Sequence, residues 1–118
     1  MQMSIEALVE EFARCVELQH EAVLAGDPLT GNKYAKRYIA AFHRLRAAGD
    51  DGRNALATLL SDQRAAVRVM AATFLLRHCG ETARRVLEAE ATKDGLIAFG
   101  AEQALRRWEE GTWMLDPR

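Results

Sequence analysis

The stretch from Ser61 to Cys79 limits the possible fold more than any other part of the chain. Within it, Val69 to Leu76 reads VMAATFLL, eight residues with no charge and one polar side chain, Thr73. Val67, Met70, Ala71, Phe74 and Leu75 recur at helical spacing, and Val69, Ala72 and Leu76 carry the apolar surface round towards the other side. A helix this apolar has to be covered by neighbours on several sides. Burying one Phe or Leu contributes about 1.5–3 kcal/mol, so this segment supplies much of a small domain's driving force. A membrane span needs about 20 apolar residues, so the stretch reads as a core helix. Ser61 or Asp62 is expected to cap it, and Gly80 to close it in a left-handed conformation.

The rest of the chain offers helices to pack around it. Only two prolines, Pro28 and Pro117, occur in 118 residues, and no segment alternates as a strand does. Ser4 is placed to cap a first helix, in which Ile5, Leu8, Val9, Phe12, Cys15, Val16 and Val23 form the apolar side to about Ala25. Gly26-Asp27-Pro28 stops it, and Gly31-Asn32 reads as the end of a polar turn. A second helix is expected from Lys33 to Ala48, burying Tyr34, Tyr38, Phe42 and Leu45. After a break at Gly49 to Gly52, a short third helix runs from Arg53 to Leu60. The fifth runs from Glu81 to Thr92, and the sixth from Leu96 to Glu110, with Gly111 as its stop. Trp113, Met114 and Leu115 are too apolar to float free and are expected to fold back onto the helices. The expectation is an all-α fold in one domain spanning residues 1–118.

Superposing the fourth and sixth helices sets Val67, Val69, Ala71 and Leu75 on Ile97, Phe99, Ala101 and Leu105, an offset of 30 residues. Six helices taken as three hairpins make a solenoid fragment of the right size. Leu60-Ser61-Asp62, followed by Ala66-Val67-Arg68 and Ala71-Ala72, resembles the start of the second helix of a HEAT repeat. From about residue 5 to 111 the chain is similar to a small bacterial HEAT-like family of unknown function. The similarity lies in Asn32-Lys33, in Val67-Arg68 through Leu76, in Val86-Leu87-Glu88, and in Ala101-Glu102, Leu105, Trp108 and Gly111. That resemblance implies a HEAT-like α-α superhelix. Related HEAT-like families occur beside secreted polymorphic toxins and are thought to act as immunity proteins, so the resemblance also implies a toxin-neutralising role.

Catalytic and metal chemistry find little support. His20, His43 and His78 fall on three different helices, in no metal-binding spacing. His78 and Cys79, being sequence neighbours, point about 100° apart on a helix. Cys15 and Cys79 read as free, buried thiols in a reducing compartment. Glu10-Glu11 and Glu109-Glu110 splay apart on a helix and read as solvated faces. No phosphate-binding loop or nucleophile elbow occurs, so neither enzyme activity nor a cofactor is expected. The opening residues carry acids where a signal peptide needs a basic start, so a cytoplasmic protein, off the membrane, is expected.

Charge is distributed unevenly despite a net of −1. Residues 1–31 hold six acids and one base, whereas residues 32–46 hold five bases and no acid. The two helices could attract one another across a shared edge, each surface pair contributing under ~1 kcal/mol. The HEAT-like resemblance supplies an alternative, because the second helix of each hairpin would line a concave side. Those helices present Lys33, Lys36, Arg37 and Arg44, then Arg64 and Arg68, then Gln103 and Arg106. Arginine's planar fork suits carboxylates and phosphates, so an acidic partner surface, that of another protein, is expected there. For Arg68 a structural bond to Asp62 or Asp94 is the competing role. Trp113 joins the set as an aromatic anchor, with core packing as its alternative and as the expected place of Trp108. Binding to a nucleic-acid backbone is the runner-up. It is weakened by the short basic stretch, the nearby acids and the lack of stacking aromatics beyond Tyr34 and Tyr38.

Overall fold

In a computed structural model, which describes residues 3–117, every regular element is helical. The fold is all-α. Packing groups the chain into two compact units, one reaching to Leu56 and the other beginning at Ala57.

The first unit is built on a helical hairpin. Helix α1 spans Ile5–Leu24, and the Ser4 hydroxyl accepts the Ala7 N–H at 3.1 Å, the cap the sequence calls for. Its inner side buries Leu8, Phe12, Cys15 and Val16. Helix α2 spans Pro28–Ala47 and so begins well before Lys33. The Asp27 carboxylate accepts the Thr30 N–H at 3.2 Å, and Pro28, with no N–H to satisfy, opens the first turn. Gly31 is therefore helical rather than part of a turn. A Cβ there would make ordinary contacts with Val23, Ala22 and the Gln19 carbonyl oxygen at 3.7–3.9 Å. Tyr38, Phe42 and Leu45 close the hairpin core, with Phe12 and Tyr38 edge to face at 5.6 Å.

Helix α3, Asp50–Ala57, also starts early, because Asp50 and Asp51 form its first turn. Gly52 does not break the chain. It is buried in α3 where a Cβ would lie 1.9 Å from the Leu45 carbonyl oxygen, so only glycine permits the approach.

The second unit opens with a 3-10 turn, Thr58–Ser61, followed by α4 (Ala65–Phe74), α5 (Gly80–Ala91) and α6 (Leu96–Glu110). Val69, Ala72, Leu76, Ala83, Leu87, Ala101, Ala104 and Trp113 form its core. Within this unit residues 69–76 are central, with Ala71, Ala72, Leu75 and Leu76 fully buried. Alanines at 72, 83, 101 and 104 let the three helix backbones come close.

Helix α4 is shorter than its apolar run. It ends at Phe74, residues 75–79 form turns, and Gly80 is the first residue of α5 with no positive φ. The reason lies at Thr73. Its hydroxyl donates back to the Val69 carbonyl at 2.7 Å, and its own carbonyl accepts the Trp113 indole N–H at 2.7 Å. The carbonyl that would continue the helix is thus engaged from the tail, while Leu75 and Leu76 stay in the core. Gly111, at φ +75°, ends α6 as the sequence indicates. No helix among the described residues is long and apolar enough to cross a membrane.

Candidate protein interface

Helix α2 carries all five bases of residues 32–46 and no acid. Its inner side has to face α1, so the cations are distributed over the flank and the outer side. Arg37 lies on the flank. Its Nη2 donates to both oxygens of Glu11 at 3.0 Å and its Nε donates to Oε2 at 3.2 Å, a bidentate clasp between the two helices. That hydrogen bond holds the guanidinium above its ordinary value. The attraction expected between the acidic and basic helices is thus realised at this pair. Nearby, burial first and the Glu11 charge second push the Cys15 thiol up.

Lys33, Lys36 and Arg44 lie on the outer side and are exposed. Among the described residues, none of the three has a carboxylate within ion-pair distance. Lys33 Nζ stands 5.8 Å and the Arg37 guanidinium 5.7 Å from the Tyr34 ring centre. Leu29 and Ile39 add exposed apolar surface to the same helix. Glu11, Arg37 and Arg44 line a pit of about 190 Å³ together with Met3, Leu8, Ala40 and Ala41.

The predicted binding residues of the second unit are engaged internally. Arg64 turns back on Asp62 through Nε at 2.9 Å and Nη2 at 3.1 Å, which draws the Asp62 carboxyl below its usual range. Asp62 also accepts the Arg64 N–H at 2.9 Å, shaping the entry to α4. Arg68 is structural. It donates to the carbonyls of Asp62 and Gln63 at 2.8 and 3.0 Å and to Glu90 Oε1 at 2.6 Å. The acid it meets is Glu90 rather than either aspartate carboxylate. Glu90 is buried, also accepts from Lys93 at 3.0 Å, and is held below the ordinary glutamate range, chiefly by the Arg68 hydrogen bond.

Arg106 pairs with Glu102 one turn back at 3.3 Å, and Gln103 is half-buried. Trp113 is not an exposed anchor. It is 6% exposed, edge to face with Trp108 at 5.2 Å and covered by Arg77 at 5.5 Å, and its indole N–H is satisfied inside by the Thr73 carbonyl.

Two surface features escaped the sequence reading. Phe99 is 57% exposed although its counterpart in the 30-residue superposition, Val69, is 6% exposed. Ala71 and Ala101, also paired there, are both fully buried, so the superposition holds for the alanines and fails at Phe99. An open hollow of about 560 Å³ between α5 and α6 is lined by Gly80, Glu81, Arg84, Arg85, Glu88 and Trp108. Its charges recur at helical spacing along α5, a signal visible in the sequence, but Trp108's place beside them depends on how α6 packs. Among the described residues no three His, Cys, Asp or Glu side chains gather as a metal ion would need.

No protein-family model matches the chain, and no curated protein does. A solved structure, that of the protein RPA1889 from Rhodopseudomonas palustris CGA009, is similar at 29% identity and a TM-score of 0.87, over 94% of this chain and 93% of that one.

Proposed function

We propose that the chain is a non-enzymatic protein-binding module of HEAT-like build, a cytoplasmic immunity protein that neutralises a cognate toxin by covering its surface. The observation that carries this reading is the outer side of α2, where Lys33, Lys36 and Arg44 stand exposed without carboxylate partners beside exposed Leu29 and Ile39. Unpaired cations interleaved with apolar side chains suit a partner that is acidic and partly apolar. Nucleic-acid binding is the weaker reading, since α1 of the same unit exposes Glu6, Glu10 and Glu21. The test is co-expression with the product of any large secreted-toxin reading frame found adjacent to this gene. Restored growth and a stoichiometric complex on size exclusion are the expected result. Failure to protect, or salt-sensitive retention of duplex DNA in place of a protein complex, would overturn it.

A further inference from the structure

We infer that the outer side of α2 is a docking track for an acidic amphipathic helix of the partner, with an aliphatic side chain of that helix seated beside Arg44. The inference rests on the protein-binding reading and adds the kind of element that binds. Leu29, Lys33, Lys36, Ala40 and Arg44 are all exposed and follow one another at intervals of four, three, four and four residues. That spacing draws one continuous stripe along an α-helix, which a second helix laid alongside can follow.

The charge on the stripe has one sign. No acid occurs in α2, and the carboxylate nearest the pit, Glu11, is clasped by Arg37. Arg44 is therefore the uncompensated charge where the stripe meets the pit. The pit's apolar lining comes from Met3, Leu8, Ala40 and Ala41, and its volume of about 190 Å³ has room for one branched aliphatic side chain. A ligand matching both features carries a leucine-like side chain with a carboxylate close by, and carboxylates further along for Lys36 and Lys33. An extended phosphate backbone matches the cations and leaves the pit and Leu29 unfilled.

The probe is a synthetic helix of repeated Glu-Leu-Glu-Ala-Leu-Glu-Glu heptads, titrated into the isotopically labelled chain and followed by amide chemical shifts. Expected are shifts at Lys33, Lys36, Ala40 and Arg44, together with Met3 and Leu8. Affinity should fall about tenfold in Lys36→Glu/Arg44→Glu, equivalent to losing two or three surface pairs. It should fall about fivefold in Ala40→Trp, which fills the pit and leaves every charge in place. A control helix with serine for leucine should bind the native chain about fivefold more weakly. Circular dichroism establishes that each variant is folded, and the charge reversals lie on exposed positions.

Equal binding of the leucine and serine helices, unchanged affinity of the charge-reversed variant, or shifts confined to α4, α5 and α6 would each overturn the docking track. So would a dimer of the chain alone in which α2 is covered by a second copy's α1. Growth protection separates the two readings. A charge-reversed variant that still neutralises the toxin overturns the track alone, whereas a native chain that never protects overturns the immunity role.

Discussion

Arg68 and Glu90 meet at 2.6 Å, Nη2 to Oε1, while the other guanidinium nitrogen of Arg68 holds the carbonyls of Asp62 and Gln63. One side chain of α4 thereby fixes both the loop that leads into its own helix and the far end of α5. Removing it orphans two carbonyls and leaves Glu90 with Lys93 as its remaining cation. Arg68→Ala is expected to lower stability by about 2–3 kcal/mol, read from the urea midpoint. Arg68→Lys should recover less than half of that, since an ammonium cannot span both acceptors as the planar fork does.

The same pair sets an acid limit. The Arg68 hydrogen bond depresses the Glu90 carboxyl in the folded chain, with Lys93 acting in the same direction and burial opposing both. Over the window from the unfolded value, 4.5, down to the folded one, the unfolded chain binds more protons, so stability falls as pH falls. The contribution is fully present above 4.5 and is lost as Glu90 protonates. Thermal midpoints measured from neutral to acid pH should drop less steeply in Glu90→Gln than in the native chain.

Glycine substitutions should split by position. Gly52→Ala sets a methyl 1.9 Å from the Leu45 carbonyl oxygen, a clash with backbone, and should cost about 3 kcal/mol or more. Gly100 lies inside α6 with nothing within 4 Å of its missing Cβ, so Gly100→Ala should add about 0.5–1 kcal/mol. Chemical denaturation of the two variants side by side checks the contrast.

Trp113→Phe keeps most of the ring burial and removes the N–H that reaches Thr73. A loss of about 1–2 kcal/mol is expected, against about 3–5 for Trp113→Ala, which also opens a cavity. Thermal unfolding followed by circular dichroism distinguishes the two.

Thiol labelling gives a further check. Cys15 is fully buried and Cys79 half-buried, and burial raises both thiols. A maleimide should modify Cys79 slowly at neutral pH and reach Cys15 only after denaturant is added, which mass spectrometry resolves.

The parts of the fold that were legible in the sequence are those fixed by local chemistry. Ser4 caps α1 and Gly111 ends α6 because each is decided within a turn of chain. The buried run at residues 69–76 was legible because its apolar weight leaves no surface alternative. What was misread depends on distant partners. Gly80 looked like a helix stop because the signal that ends α4 comes from Trp113, 40 residues away. Gly52 looked like a breaker because its need for a bare Cα is set by the Leu45 carbonyl. The interface divides in the same way. The acid-free run from Lys33 to Arg46 is plain in the sequence, but which of its cations are clasped is decided by Glu11 on the neighbouring helix.

The indole of Trp113 also orders events in time. During synthesis α4, α5 and α6 leave the ribosome before it does, so the turn after Phe74 acquires its last hydrogen bond only when the tail emerges. A chain ending at Glu110 would lack both the Trp113 ring in that core and its hydrogen bond to the Thr73 carbonyl, and would leave open apolar surface of the kind chaperones recognise.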